Sequence, residues 1–175
     1  MTSEVLHIAH PAIDRDFQAL IPPLTNEERA QLEMNLQAEG CRDPLVVWQE
    51  KGVLLDGHNR LDICKQLGIA YRVERRSFES REQAYNWIIN NQLGRRNLHP
   101  DQASYLRGKR YNLEKASKSE AGAIGGSSKG QNDTCLPTTA DKLAAEYQVS
   151  PRTIKRDGRY AQAVDTLAAA GIDPH

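Results

Sequence analysis

The stretch VLLDGHNRLDIC (Val53–Cys64) contains the change of pattern that decides the fold of this chain. Val53, Leu54 and Leu55 are continuously apolar, as in a strand buried on both faces. Asp62 to Leu67, with Gly68 behind them, predict a short helix and its stop. Between the two lie Asp56, Gly57, His58, Asn59 and Arg60. Gly57 permits close backbone approach or a positive φ, and Arg60 falls in the first turn of the helix. A helix N-terminus offers unpaired N–H groups and the positive end of a dipole, which together favour an anion such as phosphate. Asn59 can donate from its amide, Arg60 can hold a phosphate through two bonds, and His58 can donate, accept or titrate. The segment therefore has the chemistry of a phosphate cradle. The same residues also suit an ordinary turn, with Asp56 as cap, Arg60 paired to an acid and His58 facing water.

Outward from this stretch the chain alternates short elements. Upstream, LIPPLTNEERAQLEMNLQAEGC (Leu20–Cys41) opens with a Pro-Pro turn and predicts a helix. Thr25 and Glu28 form a capping box, Ala30, Leu32, Met34, Leu36 and Ala38 give a rough apolar stripe, and Gly40 ends it. DPLVVWQ then reads as a strand and EKG as a turn into Val53. Downstream, YRVERRSF alternates like a strand, and SREQAYNWIINNQL predicts a helix from Ser80 with Ala84, Trp87 and Ile88 on one face. Another helix starts after Pro100, with Leu106 and Leu113 on one stripe. Residues 117–137 hold four glycines and no sustained period, which reads as a flexible linker.

Bulk properties narrow the class. The chain has 175 residues, no net formal charge and 39% hydrophobic content, with a mean hydropathy of −0.65. This suits one ordinary domain plus a small one. No apolar run approaches the roughly 18 residues of a membrane span, and MTSEVLHIAHPAIDRDF lacks the pattern of a secretory signal. A cytoplasmic protein with no membrane partner is expected. Cys41, Cys64 and Cys135 lack CxxC spacing and read as two small core fillers and one loop residue. Charge is uneven, with five basic and ten acidic residues in 1–60 against thirteen basic and seven acidic in 95–160. That asymmetry favours a polyanionic partner for the second half.

TADKLAAEYQVSPRTIKRDGRYAQ (Thr139–Gln162) has the layout of a helix, a tight turn and a second helix. Leu143, Ala144 and Tyr147 give the first helix an apolar face, Val149 plugs the turn, and Ile154 points inward from the second. Ser150 is a strong N-cap and Pro151 sits at N1. Arg152, Thr153, Lys155, Arg156 and Arg159 are left outside. This resembles the DNA-reading helix-turn-helix, with Gln148 where glycine is common in the turn. Ser150 lies at the helix start facing DNA, Arg152, Thr153 and Arg156 are the candidates for base edges, and Lys155 and Arg159 for phosphates. A helical hairpin for dimerisation with a basic solvated face fits the same pattern.

Residues 5–115 resemble the ParB/sulfiredoxin-like family, specifically the ParB N-terminal domain. EGCRDPLVVW (Glu39–Trp48) is similar to the family's G-x-x-x-P-[IL]-x-V segment, LDGHNR (Leu55–Arg60) to its G-E-R-R phosphate loop, and NNQLGRRNLHPDQA (Asn90–Ala103) to its E-N-x-Q-R-x-x-L-x-P segment. The resemblance implies an α/β (α+β) fold, a small sheet with flanking helices over residues 1–116, ahead of the linker and an all-α helix-turn-helix at 138–175. It implies binding of a nucleotide, typically CTP with Mg²⁺, through Gly40, Pro44, Asp56, Gly57, His58, Asn59, Arg60, Asn91, Gln92, Arg95 and Arg96. His58 and Asn59 replace a Glu and an Arg, and Asn91 and Gln92 stand where Glu and Asn would be. An amide in place of a carboxylate weakens a magnesium site, so a weak CTPase is the most the loop implies. Sulfiredoxin chemistry is excluded because His58 occupies its cysteine position. DGHNR also resembles the motif of free-serine kinases of this family, in which Asp56 would orient the attacking hydroxyl; a nuclease lacks the acidic cluster it needs. The expected role is a ParB-like, homodimeric protein binding double-stranded DNA, gated by CTP or another nucleotide. Plasmid, phage or mobile-element partition, replication control and transcriptional regulation all fit that role.

Overall fold

The computed structural model of the protein describes residues 10–94, 98–124 and 137–172. These divide into two compact units, Met1–Gln92 and Leu93–His175.

The first unit is α+β. Strands β1 (Leu45–Trp48), β2 (Val53–Asp56) and β3 (Val73–Arg76) form one sheet in the order β2-β1-β3. β1 and β2 are antiparallel, as a short turn dictates, and β3 runs parallel to β1. Ala12 adds a single parallel bridge to Val53 on the outer edge of β2. Helix α1 (Arg15–Gln18) and helix α2 (Asn26–Glu39) precede the sheet, α3 (His58–Leu67) joins β2 to β3, and α4 (Arg81–Leu93) follows.

Alternation along β1 separates two cores. Leu45 and Val47 pack with Leu54 and with Leu61 of α3. One turn further, Ile63 and Cys64 pack on Leu36 of α2 and on Cys41. Helix α3 is thus held between the sheet and α2. Trp48 points the other way, 6.3 Å from Phe17 and 6.3 Å from Phe78 between ring centroids. Phe78 lies 6.0 Å from Trp87 of α4. Arg81 fastens the start of α4 to Asp14 at 2.6 Å and Asp16 at 2.8 Å.

The second unit consists of α5 (Pro100–Ile124), α6 (Thr139–Tyr147) and α7 (Pro151–Ala169). Two glycines let α5 and α7 cross closely. A Cβ on Gly108 would enter the Asp157 carbonyl, and one on Gly158 would meet Tyr111 Cδ1 at 2.6 Å. The crossing is locked by polar bonds. Arg107 Nε donates to Asp157 Oδ2 at 2.7 Å, with Asp157 only 1% exposed. Asn112 Nδ2 donates to the Gly158 carbonyl at 2.9 Å. Ala140, Leu143, Ala144 and Ile154 form the apolar core between α6 and α7.

Several expectations shift. The boundary falls after Gln92 rather than at 116, because α5 carries its contacts to α7. Residues 117–124 of the expected linker continue α5; the rest of that segment, 125–136, lies outside the described residues. Helix α3 begins at His58, four residues before the apolar pattern suggests, because Gly57 ends the strand with φ 95°. Met34, placed on the apolar stripe of α2, is 55% exposed. Among the described residues no helix is long and apolar enough to cross a membrane.

Candidate functional site

In the first unit the Asp56–Arg60 segment forms a tight strand-to-helix junction. Gly57 is the N-cap of α3 in a left-handed conformation, and no side chain caps the helix. No acidic residue stands in the first turn of α3, so the dipole end there is uncompensated. The amides of the first turn are the donors such an end leaves over. An added Cβ at Gly57 would lie 2.5 Å from Leu45 Cδ2 and 3.1 Å from Arg60 Nη2. Glycine is therefore required twice, for its φ and for the room it leaves.

Arg60 folds back over that glycine. Its Nη2 donates to the Pro44 carbonyl and to Asp56 Oδ2, both at 3.2 Å. Asp56 is 7% exposed and also receives Gln92 Nε2 from α4 at 3.4 Å. The ordinary-turn reading is thus met in one respect, since Arg60 does pair with an acid. It fails in two others, since Asp56 is not the cap and His58 does not face water. His58 is 5% exposed and neither ring nitrogen has a partner; Arg60 Nε and Gln92 Oε1 are likewise buried without one. Burial holds the His58 imidazole below its ordinary basicity, against a smaller opposing pull from Asp56. Four polar atoms on three side chains thus leave hydrogen-bonding capacity unfilled, which a buried site normally fills with a ligand or water.

The other expected cradle residues are placed as follows. Gly40 ends α2 with φ 72° and lines, together with Arg60, a small concavity of about 140 Å³. Asn59 and Asn91 are half-buried in the first turn of α3 and near the end of α4. Arg95 and Arg96 lie outside the described residues. Arg42 and Asp43, which the sequence reading did not single out, line the same concavity as Gly40 and Arg60. Their signal was their position inside EGCRDPLVVW. Asp56, the carboxylate a kinase reading requires, is engaged by Arg60 and Gln92 rather than presented to a hydroxyl.

In the second unit the turn Gln148–Ser150 joins α6 to α7. Thr138 caps α6 in a capping box with Asp141. Gln148 adopts the left-handed conformation, φ 55°, that glycine usually takes in such a turn. Ser150 caps α7, its Oγ accepting from Thr153 N at 3.0 Å, with Pro151 behind it. Ile154 is fully buried. Arg152, Lys155, Arg156 and Arg159 are exposed, and Thr153 is half-buried. Ser150, Arg152, Thr153, Arg156 and Arg159 line a concavity of about 350 Å³. Beside it Asp157 lies 3.9 Å from Arg156 Nη2 and is committed to Arg107. The expected outer face is assembled as a row of exposed cations, with Asp141 in electrostatic reach of Lys155. Among the described residues, no group of three His, Cys, Asp or Glu side chains converges on a metal position.

Two solved structures similar to the chain are both of the pNOB8-like ParB N-domain. One, in a C2221 crystal form, aligns with a TM-score of 0.63 at 23% identity, covering 85% of this chain and 64% of that one. The other aligns with a TM-score of 0.55 at 25% identity, covering 85% of this chain and 54% of that one. The chain thus spans less than two thirds of the length of either. No protein-family signature and no curated protein matches it. The fold is α+β and of the ParB N-domain kind.

Proposed function

We propose that this chain, with its ParB N-domain-like fold, is a partition-type DNA-binding protein in which α7 enters the major groove of double-stranded DNA. The observation that carries this reading is the row Arg152, Lys155, Arg156 and Arg159 on a serine-capped helix directly behind a three-residue turn. Arg152, Thr153 and Arg156, near the start of α7, reach base edges, and Lys155 and Arg159 hold phosphates. A single helix-turn-helix buries little surface, so two copies of the chain pair on two half-sites. The biological setting is plasmid, phage or mobile-element DNA, in partition, replication control or transcriptional regulation.

The first unit supplies the gate. A nucleotide, CTP by analogy of fold, places phosphate oxygens at the uncapped start of α3, where the His58, Asn59 and Arg60 amides and the unpartnered polar groups support it. Asp56 is already paired, so a magnesium ion accompanying the nucleotide takes its ligands from phosphate and water.

Two titrations test this. Labelled duplexes selected from fragmented genomic DNA should bind the full chain, and Arg156→Ala should weaken that binding at least tenfold. Equal affinity of wild type and variant overturns the DNA reading. Calorimetry with CTP, ATP and GTP in the presence of Mg²⁺ should give heat with at least one, lost in Arg60→Gln. No heat with any of the three removes the gate and leaves a DNA-binding regulator with an empty cradle.

A further inference from the structure

Helix α7 turns one side to α5 and α6 through Ile154, Asp157, Gly158, Ala161 and Asp165. Its other side is open, and the character of that side changes halfway along the helix. Up to Arg159 it is cationic. Beyond that point Tyr160, Ala163, Leu167 and Ala170 recur at intervals of three, four and three, the spacing of a coiled-coil seam. Tyr160 is 37% and Leu167 40% exposed, and Ala163 and Ala170 are exposed as well. Asp165, within these turns, is held by Tyr105 at 2.8 Å and Lys109 at 2.9 Å, both on α5. Thr166–Ile172 carries no charge at all. One exposed leucine is ordinary on a surface; a regular seam with its neighbouring charge already paired is not.

We propose that this seam is where two copies of the chain meet, the second half of α7 lying antiparallel against the same half of a second copy. The sequence of the seam is complementary to its own reverse. Ala163 of one copy lies opposite Leu167 of the other, and Tyr160 opposite Ala170, so each large side chain meets a small one, as a two-fold contact requires. Charge favours the same arrangement. The last turn of α7 has no basic residue, which leaves the negative end of its dipole unbalanced. Antiparallel pairing brings Arg159 of the other copy beside that end, whereas parallel pairing would set the cationic halves against each other.

The spacing agrees with two half-sites. The contact is centred at position 165, eleven positions beyond Ile154 in the reading segment. At 1.5 Å per residue the two reading segments stand about 33 Å apart along the paired helices, close to one turn of DNA. This step rests on the DNA reading above; the seam and its charges do not. Four seam positions bury far less than the roughly 800 Å² per partner of a standard interface. The dimer is therefore weak in free solution and is completed where DNA holds two copies side by side.

Sedimentation equilibrium of the full chain without DNA, at concentrations up to about 1 mM, reads the association. The wild type is expected to pass from monomer to dimer across the series. Leu167→Glu and Ala163→Glu should each weaken the dimer at least tenfold. Gln162→Glu, which adds the same charge off the seam, should leave it unchanged. For direction, a chain carrying Ala163→Cys is mixed with one carrying Leu167→Cys, both with Cys135→Ser, and oxidised. Cross-linked mixed dimers, told from like pairs by mass, should predominate. A chain that stays monomeric throughout overturns the proposal. So does a dimer that both seam variants leave intact or that Gln162→Glu weakens equally, or an excess of like pairs. No DNA enters these measurements, so their failure is distinct from a failure of the Arg156→Ala titration.

Discussion

Gly57 is the residue at which the first unit is most constrained. Its φ of 95° and the 2.5 Å approach to Leu45 Cδ2 leave no place for a methyl group. Gly57→Ala is expected to lower stability by about 1–3 kcal/mol, read as a lower urea midpoint at unchanged slope. His58 beside it gives a pH signature. Burial keeps its folded-state pKa below the ordinary 6.5, so below that pH the unfolded chain takes up a proton that the folded chain resists. The contribution is fully present above pH 6.5 and declines as the pH falls below that value. His58→Gln is expected to flatten that part of the curve, measured as the difference in urea midpoint between pH 7.5 and pH 5.5. The glycine was readable from sequence because a strand running into a helix needs a φ that other residues avoid. The burial of His58 was not, since nothing local says that α4 brings Gln92 over the same carboxylate.

Single elements carry their own tests. The start of α7 rests on Ser150, and Ser150→Ala is expected to cost about 1 kcal/mol in thermal or chemical denaturation. The end of α6 runs against preference, because Gln148 holds φ 55°. Left-handed backbone costs an L-residue roughly 1–2 kcal/mol, and Gln148→Gly should raise the thermal midpoint. Helix α5 binds α7 through Arg107 and the buried Asp157. Arg107→Ala leaves that carboxylate without its partner in the interior, a loss of about 3–5 kcal/mol. Adding Asp157→Asn should recover part of it in the same melt. Caps, turn and inward Ile154 were all legible, since each depends on residues within four positions. The role of α5 was not, because Arg107 meets Asp157 fifty positions later in the chain.

For the whole molecule the discriminating quantity is the salt dependence of DNA affinity. Four outward cations on α7 imply a steep fall of affinity with salt, and each phosphate contact removed should reduce the logarithmic slope by about one. Lys155→Ala is expected to weaken binding evenly across sequences with that change of slope, whereas Arg156→Ala should also relax sequence preference. Fluorescence polarisation across a salt series separates the two.

Sequence alone determined the order of the elements from α2 onward, the caps at Thr25 and Ser150, the strand-to-helix glycine and the cationic face of α7. It also supplied the ParB-like expectation for the fold. Those features are written in neighbouring residues, where backbone geometry and hydrogen bonding act over a turn or two. Tertiary structure decided that α5 packs in one unit with α6 and α7 and that Arg60 lies over Gly57 against Asp56. It also decided that Cys41 and Cys64 share one core cluster with Leu36 and Ile63. Each of these joins residues distant in sequence, and close packing of a folded core is what brings such groups together.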